Sequence, residues 1–145
     1  MKLYDTTAAP NPRRVRMFIA EKGIEVPMVQ VNLREQEQLA PDFGRINPWR
    51  TVPVLELDDG TFISECVAIS RYLEDIHPAP PLFGRDAKET AVVGMWQHHC
   101  ELEGFTATQE AFRNSVERLK GRAMTGEADE EQIPELAERG RRRVE

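Results

Sequence analysis

No apolar run in this chain approaches the roughly 20 residues needed to cross a bilayer. Its opening, MKLYDTTAAP, has no apolar core of the roughly 7–15 residues that a secretory leader carries. Neither a membrane span nor an export signal is expected, and the reading is cytoplasmic. Cysteine is scarce: Cys66 and Cys100 fall in neither a C-x-x-C pair nor a zinc-ligand spacing, which fits reduced thiols and no metal centre. Positive charge is in deficit, 19 Lys+Arg against 25 Asp+Glu for a net charge of −6, and that excludes a general binder of nucleic-acid backbone. Arg139, Arg141, Arg142 and Arg143 form a local exception that nearby acids offset.

What is present suits a folded protein. With 145 residues, 40% hydrophobic and 30% charged, the chain can build a core as one domain or as two small ones sharing an interface. Lys2-Leu3-Tyr4 reads as a short strand, with Tyr4 in the core. Asn11 is an expected helix N-cap, Pro12 suits the first helical position and Gly23 the stop. Val15, Phe18, Ile19 and Lys22 keep helical spacing between them, predicting a helix over 12–22. Val29, Val31 and Leu33 alternate with polar residues, as in a strand. Residues 34–48 read as a short irregular helix and a loop. Val52–Leu57 and Thr61–Ile63 flank Asp58-Asp59-Gly60, a strong hairpin signal. Ile69, Tyr72, Leu73 and Ile76 then place a helix over 65–76.

His77 to Gly84 contains Pro78, Pro80 and Pro81, cannot continue a helix, and reads as a semi-rigid linker. Asp86 and Glu89 form a capping-box-like start. Val92, Trp96, His99, Phe105, Phe112, Val116 and Leu119 predict a long helix over 86–120, with Trp96 in the core. A break at 125–129 precedes a polar helix with Pro134 near its start and the i,i+4 pairs Glu135/Arg139 and Glu138/Arg142. His98-His99-Cys100 is not a metal site, because successive helical residues point about 100° apart. The order β-α-β-α-β-β-α, with a parallel crossover followed by an antiparallel hairpin, gives a small mixed sheet with a helical appendage.

At Val52-Pro53 the chain resembles the glutathione transferase superfamily. Asn47-Pro48-Trp49-Arg50-Thr51-Val52-Pro53-Val54-Leu55 is similar to that family's N-P-x-x-x-V-P-x-L, Glu65-Cys66-Val67-Ala68-Ile69 to its E-S-x-A-I, and Ala9 to Arg16 to its first loop and helix. The resemblance implies an α/β thioredoxin-like N-terminal domain (1–77), a proline-rich linker (78–85) and an all-α C-terminal domain (86–145), incomplete for the family. It implies glutathione as co-substrate, a small electrophile as the second substrate, and a homodimer. Pro53 would be cis, leaving the backbone of Val52 to pair with glutathione as an added strand does. Glu65 would hold the γ-glutamyl ammonium and Cys66 the carboxylate, with Arg50, and more weakly Gln38, on the glycyl carboxylate. Cys66 stands where the family has serine, and a thiol is the weaker donor.

The larger departure is Ala9, at a position where the family supplies a hydroxyl or thiol to the glutathione sulfur. Thr6, Thr7 and Asn11 remain as candidate donors, together with the free N–H groups and dipole of the first helix. Asn11 and Thr7 are the catalytic candidates. The expected activity is glutathione transfer to an electrophile. Two alternatives stay open: a non-catalytic interaction module, and a glutathione-dependent disulfide reductase or peroxidase using Cys66.

Overall fold

The structure, a computed structural model, describes residues 1–126 and 130–145; the rest of the expected break, at 127–129, lies outside the described residues. The chain divides into two compact units, Met1–Leu82 and Phe83–Glu145.

In the first unit, β1 (Lys2–Asp5) leads into α1 (Pro10–Lys22). Pro10 takes the first helical position, where its missing N–H and fixed φ are suited, and Ala9, extended at φ −118° and ψ 148°, is the N-cap. The helix therefore starts two residues earlier than expected, and Asn11 lies inside its first turn instead of capping it. Gly23 ends the helix at φ 64°, its N–H bonded to the Ala20 carbonyl, as the sequence predicts.

Strand β2 (Met28–Gln30) pairs parallel to β1. It is shorter than the alternation through Leu33 suggests. Val31 still donates to the Asp5 carbonyl at 2.7 Å, but Asn32 Oδ1 then accepts from Arg34 N–H and Glu35 N–H. That side-chain turn competes with the ladder and ends the strand. A short 3₁₀ turn (Glu37–Leu39) and α2 (Pro41–Ile46) follow, the irregular helix expected there.

The hairpin forms as predicted. β3 (Val54–Glu56) and β4 (Phe62–Ser64) are antiparallel, joined by a turn in which Gly60 sits at φ 85° and Thr61 N–H donates to Asp59 Oδ1. β3 also pairs antiparallel with β1, so the mixed sheet has the order β2-β1-β3-β4. Helix α3 (Cys66–Ile76) follows at once.

Strand periodicity distributes the core to two faces. Leu3 and Leu55 join Val15, Ile19, Ile69 and Leu73, so α1 and α3 cover one side. Val54, Val52 and Val31 pack with Phe43 of α2 on the other. Tyr4 belongs to this second cluster and makes an edge-on contact with Phe43. Four strands with helices on both faces in this order make the thioredoxin-like arrangement.

Lys22 is the polar member of the α1 stripe, and it is buried. Its ammonium pairs with Glu74 of α3 and donates to the carbonyls of His77 (2.8 Å) and Pro80 (2.6 Å). Glu74 in turn accepts from Leu82 N–H. The proline segment after α3 is thus strapped to the first unit by one ion pair.

The second unit is helical. Asp86 caps α4 (Ala87–His99), its Oδ1 accepting from Glu89 N–H at 2.9 Å, as the capping pattern predicts. The expected single helix over 86–120 is broken. After His99 the coil widens to a π-helix (Cys100–Thr106), returns to α5 (Ala107–Arg113), and ends before a 3₁₀ turn (Glu117–Leu119). Thr106 Oγ1 bonds the Glu101 carbonyl five residues back, the reach of a widened turn. Trp96, expected in the core, is 61% exposed, because α4 buries none of its residues.

Helix α6 (Pro134–Val144) starts at Pro134 as predicted and lies against α5 through Ala107, Ala137 and Gly140. Glu138 and Arg142 form the expected pair. Arg139 instead turns to Glu110 of α5 at 2.6 Å, a partner across the helix contact rather than Glu135 along its own helix. Among the described residues, no helix is long and apolar enough to cross a membrane.

Candidate functional site

Register places the candidate residues at one end of the sheet. Tyr4 faces Val54, and Val54 faces Ser64. The C-terminal end of β1, the N-terminal end of β3 and the C-terminal end of β4 therefore lie side by side. From that end emerge the 6–9 loop leading into α1, the Val52-Pro53 approach to β3, and Glu65-Cys66 leading into α3.

At the first of these, Thr6 is buried and Thr7 exposed. Ala9 provides no side-chain cap. Asn11 occupies the second position of α1, and its Oδ1 is buried with no hydrogen-bond partner. Pro10 and Pro12 flank it and carry no N–H, so the first three residues of the helix offer a single backbone donor, that of Asn11. This corrects the expectation of several free N–H groups there. Tyr4 does not compete as a thiol partner: its hydroxyl donates to Glu56 Oε2 at 2.7 Å, and burial, then that bond, push its pKa above the usual phenol value.

At the second, the Val52–Pro53 peptide is cis. Val52 is 8% exposed, and among the described residues no backbone hydrogen bond reaches its N–H or C=O. The loop before it is built around Asn47, 1% exposed. Asn47 Nδ2 donates to the Thr51 carbonyl and hydroxyl, and its Oδ1 accepts from Trp49 N–H. Its place directly before a proline is the sequence signal of this turn role. Arg50 is exposed at φ 53°, with its N–H on the Asn47 carbonyl. Gln38 is buried, its Oε1 without a partner.

At the third, Glu65 is the exposed N-cap of α3 at φ 72° and ψ 129°. A residue other than glycine is rarely found there, and holding it costs about 1–3 kcal/mol. Cys66, the first helical residue, is buried, and its thiol donates to the Asn11 carbonyl at 3.2 Å. The structure thus joins Asn11 and Cys66 directly, bringing the starts of α1 and α3 together.

Sequence reasoning missed the support behind this end. Asp5, fully buried, accepts from Arg16 at 2.5 Å and from Gln30 at 2.7 Å. Arg16 also donates to the Thr6 carbonyl at 2.9 Å, fixing the 6–9 loop from within α1. The available signal was an acid ending a strand otherwise committed to the core.

Comparison with known proteins bears on the same segments. The family described as "Glutathione S-transferase, N-terminal domain" matches residues 8–76. Glutathione S-transferase 2 of Saccharomyces cerevisiae is 45% identical over 121 residues, covering 82% of this chain and 52% of its own length. A glutathione S-transferase domain-containing protein from Marinobacter aquaeolei superposes with a TM-score of 0.89 at 37% identity, over 99% of this chain and 69% of that one. Gtt2 from Saccharomyces cerevisiae gives 0.88 at 36% identity, over 99% and 68%. The chain spans about half or less of the length of the curated relatives it matches.

Proposed function

The chain belongs to the glutathione transferase superfamily, and on that premise we propose that it binds glutathione at the sheet end and activates its thiol for attack on a small electrophile. The observation that carries the reading is Glu65, an exposed acid held in a strained conformation at the start of α3. Backbone strain of this kind clusters at active sites and ligand clamps.

In this reading the backbone of Val52, beside Pro53, pairs with the cysteinyl backbone of glutathione. Glu65 takes the γ-glutamyl ammonium, and the N–H of Cys66 at the helix start takes the adjoining carboxylate. Arg50 reaches the glycyl carboxylate. The sulfur lies against the first turn of α1, where Asn11 offers its backbone N–H and its side-chain amide, with Thr7 beside it. Stabilising the thiolate there lowers the thiol pKa. A sulfur–carbon bond then forms as the leaving group departs, and the thiol proton goes to solvent.

The finer features belong to the same proposal: a glutathione-binding domain over 1–77, a linker over 78–85 and a helical domain over 86–145, a homodimer, a cytoplasmic setting and a role in detoxification. A second reading, a non-catalytic module of the same fold, is favoured by Ala9, which puts no hydroxyl at the start of α1.

Isothermal titration of glutathione into the purified chain, with Glu65→Ala as control, tests the proposal. Sub-millimolar binding that the variant loses supports it. A folded chain that takes up no glutathione overturns it in favour of the non-catalytic module.

A further inference from the structure

Cys66 stands where the family resemblance would put a hydroxyl on a glutathione carboxylate, yet its thiol is turned inward. It is 6% exposed and packs with Leu3, Val15, Ile69 and Leu73. Its proton is directed at the Asn11 carbonyl, 3.2 Å away. A thiol so committed has no proton to offer a carboxylate, and S–H is a weak donor in any case.

The other end of that bond lies in a turn with few hydrogen bonds of its own. The first three positions of α1 are Pro10, Asn11 and Pro12, so two of its three N–H groups are missing, and Ala9 makes no side-chain cap bond. The Asn11 side chain gives no anchor through its oxygen, which is buried and unpartnered. Beside the packing of the buried Pro12, the Asn11 carbonyl is where α3 bonds to this turn.

We propose that Cys66 is a positioning residue: its thiol sets the first turn of α1, and with it the Asn11 donors, rather than serving as a side-chain ligand of the carboxylate. The inference rests on the glutathione reading for its consequence, though the grip itself belongs to the free protein. The carboxylate is then served by the residue 66 N–H alone, and replacing the side chain changes turnover more than affinity.

Cys66→Ala and Cys66→Ser test this through two measurements. Amide hydrogen exchange on the ligand-free chain reads the grip without glutathione. At Arg13, whose N–H lies within the helical bonding of α1, exchange in Cys66→Ala should rise about fivefold relative to Ile19 later in the same helix, and Cys66→Ser, which restores a donor, should return it. Titration with glutathione should give a dissociation constant within about threefold of the parent for Cys66→Ala. Turnover with glutathione and chlorodinitrobenzene should fall about tenfold and recover in Cys66→Ser. The proposal is overturned if Cys66→Ala weakens glutathione binding tenfold while exchange stays put, which marks a carboxylate ligand, or if neither exchange nor turnover moves. A parent chain that binds no glutathione defeats the site reading alone, and the exchange comparison still decides the positioning role.

Discussion

The Lys22 ammonium and the Glu74 carboxylate meet where α1 and α3 pack, the lysine side chain with no exposure and the glutamate with 14%. Between them they hold the His77 and Pro80 carbonyls and the Leu82 N–H, so one pair fixes both the helix contact and the path of the chain after α3. Removing one member strands the other. Lys22→Met should lower stability by about 3 kcal/mol, as expected when a buried pair loses one partner. Equilibrium urea unfolding measures this, and adding Glu74→Leu should recover most of the loss. A Lys22→Met midpoint equal to the parent's would mean the pair contributes little.

Gly140 is the contact point of α6 on α5. A Cβ there would stand 2.5 Å from the Ala107 carbonyl oxygen and 2.5 Å from the Ala111 nitrogen, both backbone atoms that cannot step aside. Gly140→Ala should destabilise by about 1–3 kcal/mol through overpacking, despite alanine's better helix propensity. A lowered thermal midpoint is expected. A raised one would show that the two helices separate easily.

Glu65 offers a separation of stability from binding. Removing the Cβ relieves part of the strain at φ 72° and ψ 129°, so Glu65→Gly should stabilise the free chain, by at most about 1 kcal/mol once glycine's greater unfolded-state entropy is set against it. The same change removes the carboxylate and with it glutathione binding. Thermal unfolding and calorimetric titration on one sample read both effects. Unchanged affinity would move the ammonium contact elsewhere.

Glu89 sits in the grip of Arg85, whose guanidinium and backbone N–H both donate to it. The Arg85 side chain first, then its N–H, lower the Glu89 pKa from its ordinary 4.5 to about 2. A carboxylate depressed in the folded state stabilises fully above its unfolded pKa and loses that contribution as pH falls through the folded value. The contribution should therefore be complete above about pH 4.5 and fade toward pH 2. Carboxyl-carbon NMR titration of Glu89 should show the low value, and Arg85→Gln should raise it. A midpoint near 4.5 in the parent would contradict the contact.

Much of the first unit was legible because its signals are local: the Asp-Gly turn, the Gly23 stop and the spacing of Ile69, Tyr72, Leu73 and Ile76 each specify geometry within a few residues. The misreadings arose where two local rules competed. Pro10 and Pro12 both suit a helix start, and the earlier one won, displacing Asn11 from its cap. Asn32 outbid the strand pattern that continued through Leu33. In the second unit the apolar spacing from Val92 to Leu119 carries no mark of the π-helix, because the Thr106 bond that accompanies it is a side-chain effect invisible to periodicity. The Asn11–Cys66 contact spans 55 residues; the motifs indicated that both belonged to one site, but only the folded chain shows the thiol facing inward.

The two cysteines also differ in a way useful to an experimenter. Cys66 is enclosed, whereas Cys100, at the head of the π-helix, is exposed. A maleimide dye or nitroxide applied briefly at neutral pH should tag Cys100 alone, since reagent access governs thiol alkylation. The native chain is thereby ready for pulsed dipolar spectroscopy: if copies associate, the spin–spin distance between tags reports how they are arranged, with no engineered residue.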